Sequence, residues 1–467
     1  MPRIKKTEEA TKQIEKPSSG IARLSKQPQL VKGMKDVLPH DQLYWDHIRS
    51  IVAKIGDDYR FARIDTPIVE HLNLYTAGLG KQTDIVEKEM YSFTDQGGDT
   101  LALRPEFTAG IARAYIEHGM VSLPQPVKLY AFGPLFRHEK PQEGRLRQHT
   151  QWNCEVIGEG KPVIDGQLIL LGYKLLTSLH IKPLVQVNSI GCRSCRPAYR
   201  ESLVEYYRAR RASLCEDCKR RLNKNVLRLL DCKVETCQGL IAKAPPIVDS
   251  LCEPCRDHFI SVLECIDELE IPYQPNPHLV RGLDYYSRTV FEFYALMNTD
   301  ESDTQPARMA ALGGGGRYDD LIEMFGGQST PAAGFGIGIE RVIMKIKELE
   351  RASGTKLIPR RVNPEIFVAQ LGEQPKRRAM VLYEDLLREG FTVAAEFAKD
   401  SLKAQLELAN KCNAAITIIL GQKELLDGSI IIRNMEGGEQ EVIDIKKLIP
   451  TLRRKLNGAL GEQQKGG

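Results

Sequence analysis

LFRHEKPQEGRLRQHTQWNCEVIG occupies residues 135–158, and its two ends read as strands around a basic turn. Arg137, Lys140, Arg145 and Arg147 put fixed cations on this hairpin and on the strand that leads into it. A guanidinium is planar, binds phosphate bidentately and stays charged at any working pH. Several of them on a strand pair hold a polyphosphate in one geometry, as a displacement at an α-phosphate requires. Glu139, beside them, suits an adenine amino group or orients an arginine. Gln151 and Glu155 are four apart, so a regular strand puts both on one face, where they suit a polar, cationic small molecule. A solvated, charged hairpin would contain the same residues, so the rest of the chain has to decide.

Outward from the hairpin, strand and helix signals alternate. DQLYWDHIRSIVAKIGDDY carries Leu43, Trp45, Ile48, Ile51, Val52 and Ile55 at helical spacing. ARIDTPIVE predicts a short strand with Pro67 inside it, which suits an edge or an interface. EMYSFTD and DTLALRP flank QGG as a hairpin, and EFTAGIARAYIEHG is a helix closed by Gly119. After the hairpin, a helix over PVIDGQLILLGYKLLTSL and a strand over LVQVNSIG precede a charged, helical, cysteine-rich stretch. From about residue 364 a new alternation of strands and helices signals a small α/β domain with a partly parallel sheet.

With 467 residues the chain is long enough for several domains, and its 42% hydrophobic and 27% charged content is that of an ordinary soluble protein. No run of about 18 apolar residues is present, so no membrane span is expected, and no apolar secretory leader is visible. A cytoplasmic location is the expectation. A net charge of +4 permits a nucleic-acid partner without arguing for one. The expected division is a disordered tail (1–28), a catalytic domain in two parts (29–190 and 266–352), a cysteine-rich helical insertion (191–265), a linker (353–363), a C-terminal domain (364–456) and a flexible tail (457–467).

Three further motifs bear on chemistry. RGLDYYSRTVFEF reads as a strand with Arg281, Leu283 and Tyr285 on one face and Gly282, Asp284 and Tyr286 on the other; two adjacent tyrosines enter one pocket only if the chain bends there. In LGGGGRYDD the four glycines read as a turn after a strand, where backbone N–H groups can approach a ligand. No Gly-Lys-Ser/Thr follows, which excludes a Walker loop. In GFGIGIERV, Gly334, Gly336 and Gly338 clear one face of a strand, and Arg341 follows where a guanidinium can stack on an adenine.

Together these stretches resemble the histidyl-tRNA synthetase family of class II aminoacyl-tRNA synthetases. RIDTPIVE is similar to class motif 1, FRHEKPQEGRLRQ to motif 2, GFGIGIERV to motif 3, and RGLDYY and GGGRYD to the family's histidine motifs. LRPEFTAG and KGMKDVLP match as well, so the likeness spans about residues 31–455. It implies an α+β fold: an antiparallel sheet of six or seven strands with helices, a helical insertion and a C-terminal α/β anticodon-binding domain. It implies activation of histidine by ATP, with Mg2+ on the β- and γ-phosphates, then transfer to tRNA(His) by a homodimer with motif 1 at its interface. By the same resemblance Arg281 and Arg137 are the catalytic cations on the α-phosphate. Glu106, Thr108, Arg137, Gln151, Glu155, Arg281, Tyr285, Tyr286 and Tyr318 bind histidine. Arg137, Glu139, Arg145, Arg147, His149 and Arg341 bind ATP, and Lys140 and Gln142 face the tRNA acceptor end. One departure stands out: the family usually reads RQFHQ where this chain reads RQHTQ, so His149 takes the adenine-stacking position. A synthetase paralogue regulating histidine biosynthesis is the alternative; the retained Arg137, Arg281, Arg341 and C-terminal domain argue against it.

Eight of the eleven cysteines lie between Cys192 and Cys255. Cys192/Cys195, Cys215/Cys218 and Cys252/Cys255 are C-x-x-C knuckles, and Cys232 and Cys237 add a wider pair. In a chain of this class such pairs suggest a metal before disulfides. Two knuckles make one tetrahedral zinc site, and eight cysteines suffice for two; which knuckles pair is open. Reduced, partly buried thiols, or an insertion that serves as an interaction module, are the competing readings.

Overall fold

The computed structural model describes residues 27–80, 83, 85–140, 144–296, 311–359 and 363–463. Residues 1–26 of the expected tail, Gln142 of the basic turn and residues 464–467 lie outside the described residues. The chain forms two compact units, Met1–Ile358 and Pro359–Gly467.

In the first unit the helical apolar spacing builds α1 (Gln42–Tyr59), which buries Trp45, Ile48, Val52 and Ile55 on one side. Strand β1 (Ala62–Arg63) is shorter than expected. Pro67 offers no N–H to a ladder, and the chain resumes as β2 (Val69–His71) in a different sheet before α2 (Leu72–Gly78). The expected hairpin is β3 (Ser92–Thr94) and β4 (Thr100–Leu103), and β2 pairs antiparallel with β4. Helix α3 (Thr108–Glu117) follows, then β5 (Val127–Phe136), β6 (Gln148–Ile157), α4 (Pro162–Ser178) and β7 (Pro183–Ser189). The insertion holds α5 (Arg196–Arg208), α6 (Glu216–Lys224), α7 (Glu235–Ile241) and α8 (Glu253–Glu268). Helix α8 runs past the expected boundary and packs on α4, where a Cβ at Gly166 would stand 2.9 Å from Cys265 Cβ. The unit closes with β8 (Tyr273–Pro275), β9 (Ser287–Ala295), β10 (Gly313–Arg317), α9 (Leu321–Met324), β11 (Ala332–Gly338) and α10 (Ile339–Ser353).

The main sheet has eight strands rather than six or seven, in the order β1-β5-β6-β11-β10-β9-β7-β8. Its five inner pairings are antiparallel, while the short outermost strands β1 and β8 pair parallel with β5 and β7. Two other expectations are corrected. The four glycines are not a turn: Gly313 to Gly316 are the body of β10, in the middle of the sheet. RGLDYY is not a strand: β9 starts at Ser287, so residues 281–286 form a loop free of the alternating-face rule.

Side-chain alternation then splits the sheet. One face carries Trp152, Cys154, Phe291, Phe293, Phe335 and Ile337 into a core with α1, α4 and α10. The opposite face packs Phe107, Tyr285 and Tyr318 into a second core that is continuous with the insertion, including Tyr199, Leu222 and Leu229. The second unit has the expected partly parallel sheet. Its strands are β12 (Ile366–Gln370), β13 (Val393–Ala395), β14 (Ile416–Leu420), β15 (Ser429–Asn434) and β16 (Gln440–Asp444), ordered β13-β12-β14-β15-β16. The first three are parallel, and β15 and β16 add antiparallel.

Candidate active site

The site lies on the sheet face opposite the aromatic core, and glycine makes room for it. Strand register places Gly334, Gly336 and Gly338 of β11 beside Glu155, Asn153 and Gln151 of β6. A Cβ at Gly334 would lie 1.6 Å from Glu155 Oε2, and one at Gly336 would lie 2.4 Å from the Gln151 amide carbon. On β10, a Cβ at Gly314 would lie 2.7 Å from a terminal nitrogen of Arg281, and one at Gly316 would lie 3.1 Å from the Tyr286 ring. Neighbouring glycine strands therefore form a floor on which Gln151, Glu155, Arg281 and Tyr286 lie flat.

At one end is a closed, polar pocket. Glu155 is fully buried and accepts hydrogen bonds from Thr108 Oγ1 at 2.6 Å and Tyr318 OH at 2.5 Å. Burial outweighs these bonds and pushes its carboxyl up to about 8. Glu106 caps α3: its carboxylate accepts from the amides of Thr108 at 2.6 Å and Ala109 at 2.7 Å. Burial raises its pKa too, partly opposed by those amides. Tyr285, Tyr286 and Tyr318 complete the walls, with ring centroids 4.7 Å apart for the first two and 5.7 Å for Tyr285 and Tyr318. Both adjacent tyrosines are buried side by side in one pocket, which the loop permits and the opposite-face alternation of a strand would not. A carboxylate pair ringed by hydroxyls suits a ligand with an amino group and a polar ring.

At the other end are the cations. Arg281 pairs with Glu292 and packs over the Tyr286 ring at 5.6 Å. Burial disfavours its charge, but the Glu292 carboxylate more than offsets this and raises its pKa. Arg137 leaves β5 and donates through Nε to the Pro105 carbonyl at 2.8 Å, next to Glu106. Arg341, in the first turn of α10, is oriented by the carbonyls of Gly144 at 2.9 Å and Ala311 at 2.5 Å. Burial, then the charges of Arg137 and Arg341, pull the His149 imidazole down to about 3, so it presents a neutral flat ring. A cleft of about 430 Å³ opens between Arg137, Glu139, Arg145 and Arg341 on one side and Arg228, Asp231 and Cys232 of the insertion on the other. Arg145 reaches Glu139 at 3.5 Å.

Two expected residues lie apart. Arg147 bonds backwards, its side chain to the carbonyls of Glu139 at 3.4 Å and Lys32 at 3.3 Å and its amide to the Gly33 carbonyl at 2.7 Å. Lys140 is exposed on the turn. The sequence reading missed Glu292, whose signal is a lone acid between two buried phenylalanines in an apolar strand, facing away from the core. It also missed the struts from the insertion: Arg196 donates to the Tyr286 carbonyl, and Asn225 donates to Asp284 Oδ1 at 3.0 Å.

The cysteines resolve into two quartets, Cys192/Cys195/Cys252/Cys255 and Cys215/Cys218/Cys232/Cys237, each with its sulfurs within 4.8 Å of one another. Cys232 and Cys237 thus join the second quartet, and every cysteine is a free thiol.

Residues 33–342 match the family model described as Histidyl-tRNA synthetase, and residues 365–455 match the one described as Anticodon binding domain. The chain is 44% identical over 426 residues to the histidine–tRNA ligase of Dehalococcoides mccartyi, covering 91% of this chain and 99% of that protein. It is 42% identical over 429 residues to that of Thermodesulfovibrio yellowstonii, covering 92% and 99% respectively. Among solved structures, apo histidyl-tRNA synthetase of S. aureus superposes with a TM-score of 0.73 at 31% identity, over 91% of this chain and all (100%) of that one. A pocket of buried carboxylates beside convergent arginines, the glycine floor and these matches lead to one conclusion: the chain belongs to the histidyl-tRNA synthetase family.

Proposed function

We propose that the chain is a histidine–tRNA ligase, and the observation that carries this reading is the buried Glu155–Thr108–Tyr318 pocket beside Arg281 and Arg137. Histidine sits with its imidazole against Glu155, Tyr286 and Tyr318 and its amino group toward Glu106 and Gln151, with Thr108 and Tyr285 closing the pocket. ATP, entering with magnesium on its β- and γ-phosphates, lies along Arg137, Glu139, Arg145 and Arg341, its adenine on His149. A histidine carboxylate oxygen attacks the α-phosphorus; the new O–P bond forms as the bond to the pyrophosphate oxygen breaks. Charge accumulates on the α-phosphoryl oxygens, where Arg137 and Arg281 offset it without solvent reorganisation. A ribose hydroxyl at the tRNA 3′ end then attacks the acyl carbon, loses its proton, and AMP departs. Glu292 holds the Arg281 guanidinium in place before substrate arrives.

The same reading assigns Lys140 and Gln142 to the tRNA acceptor end, and Lys399, Lys403 and Arg433 of the second unit to phosphates of the anticodon arm. It includes a structural zinc ion on four insertion cysteines, a cytoplasmic location, and a homodimer joined near motif 1, where Ile68 and Val69 are exposed apolar residues. The regulatory-paralogue alternative has no feature in its favour among the described residues.

The test is histidine-dependent ATP–pyrophosphate exchange without tRNA. Exchange with histidine alone among amino acids, lost in Arg281→Ala, is expected. Absence of exchange in folded wild-type protein supplied with magnesium refutes the reading.

A further inference from the structure

We infer that the insertion binds two metal ions rather than one, each by four thiolates, and that the ion on Cys215, Cys218, Cys232 and Cys237 holds one wall of the nucleotide cleft. The inference rests on the ligase reading only for the identity of the nucleotide.

The sulfur spacing is that of a metal tetrahedron. Zn–S bonds of about 2.3 Å place tetrahedral sulfurs about 3.8 Å apart, whereas a disulfide needs about 2.05 Å. Cys192 and Cys195 sulfurs are 3.7 Å apart, Cys192 and Cys252 3.9 Å, and Cys215 and Cys232 3.8 Å. Each quartet also has an amide on one arm aimed at a sulfur of the other. Cys252 N–H donates to Cys195 Sγ at 3.2 Å, and Cys215 N–H donates to Cys237 Sγ at 3.4 Å. Such N–H···S bonds stabilise the thiolate form that binds metal. Sulfurs this close suit a single ion, and an all-thiolate tetrahedral shell selects zinc or iron over hard cations. On binding, the thiols release their protons to solvent.

The two quartets have different places in the fold. The first joins the ends of the insertion: Cys195 precedes α5, Cys252 precedes α8, and Gly191 is bonded to Arg288 at the start of β9. The second lies out in the insertion, where Cys215 and Cys232 line the 430 Å³ cleft opposite Arg137 and Arg341. The segment from Cys232 to Cys237 has little regular structure before α7, and Asp231 and Lys233, a 3.2 Å ion pair on the cleft, flank a ligand directly. Without an ion, four deprotonated sulfurs at this spacing would repel one another and release that wall; as neutral thiols they supply only weak bonds.

The test uses full-length protein purified under reducing conditions. Elemental analysis is expected to find about two metal ions per chain, and about one each in Cys195→Ser/Cys255→Ser and in Cys218→Ser/Cys237→Ser. Cobalt reports coupling without any turnover. In Cys195→Ser/Cys255→Ser, which leaves only the second site, magnesium-ATP is expected to shift the thiolate-to-cobalt absorption; in Cys218→Ser/Cys237→Ser it is expected not to. Cys218→Ser/Cys237→Ser is also expected to bind ATP about tenfold more weakly by calorimetry, a change of about 1.4 kcal/mol. If the serine variants do not fold, wild-type protein carrying cobalt in both sites serves, and part of its spectrum shifts with ATP. Metal content of one ion or less in wild-type protein overturns the inference, as does an ATP-insensitive cobalt spectrum. Loss of pyrophosphate exchange in wild-type protein that still binds ATP by calorimetry would count against the ligase reading alone, because metal content and the cobalt response require ATP binding at most and not turnover.

Discussion

Glu155→Gln separates what the pocket costs the folded chain from what it does for the ligand. Glutamine keeps the volume, and the hydroxyls of Thr108 and Tyr318, now 2.6 and 2.5 Å from the carboxylate, rotate to meet an amide. The fold should therefore survive, while the carboxyl that a bound imidazole can draw into its charged form is lost. A hydrogen bond to a charged group contributes about 1.5–3 kcal/mol, so kcat/KM for histidine should fall roughly 10- to 150-fold, chiefly through KM. Stability should move the other way. Burial raises the Glu155 pKa from 4.5 to about 8, so across that window the folded chain holds a proton that the unfolded chain has released. Unfolding free energy then falls as pH rises, by at most about 1.4 kcal/mol per pH unit from this group. The contribution is fully present below the unfolded value and lost through the folded one. Glutamine removes this slope, so ligand-free Glu155→Gln should gain on wild type between pH 5 and pH 8 in urea titrations. A kcat/KM within about threefold of wild type, or parallel pH profiles of stability for the two proteins, would refute the assignment.

Other outcomes follow from the same geometry. His149→Phe should keep or lower the KM for ATP in pyrophosphate exchange, because a neutral imidazole already acts as a flat ring and an aromatic stack is worth roughly 0.5–1.5 kcal/mol. A large rise in KM would show that the imidazole nitrogens, rather than its face, meet the nucleotide. Gly334→Ala should raise the KM for histidine and lower stability by about 1–3 kcal/mol, since the added methyl has Glu155 Oε2 at 1.6 Å and the Cys154 carbonyl at 2.6 Å. Thermal melts and histidine titrations check it; an unchanged histidine KM would mean that β11 does not shape the pocket.

Much of the fold was legible because local periodicity survives folding. The 3.6-residue spacing of Trp45, Ile48, Val52 and Ile55 is enough for α1, and the basic hairpin of β5 and β6 follows from two alternating runs around a polar turn. Gly334, Gly336 and Gly338 were readable as a cleared strand face, since only a missing Cβ leaves such space. Which side chains fill the space was not readable, because Glu155 and Gln151 reach it through strand register, a non-local property. The four glycines of β10 misled for a related reason: glycine favours turns locally, and only neighbours on both sides made it a central strand. RGLDYY misled because alternation holds only inside a ladder, and this loop is held instead by Arg196 and Asn225 from the insertion.

By itself the sequence determined the residue types available for chemistry: fixed arginines that suit phosphate, strand carboxylates that suit a polar ligand, and knuckled thiols that suit a metal. Tertiary structure alone decided their partners. Glu292 was assigned to Arg281, Cys252 and Cys255 to a knuckle about 60 residues earlier, and Cys232 and Cys237 to a quartet whose Cys215 and Cys232 line the cleft. The physical reason is that residue chemistry is set atom by atom along the chain. Proximity between distant segments is set by how the two faces of one sheet bury their apolar surface.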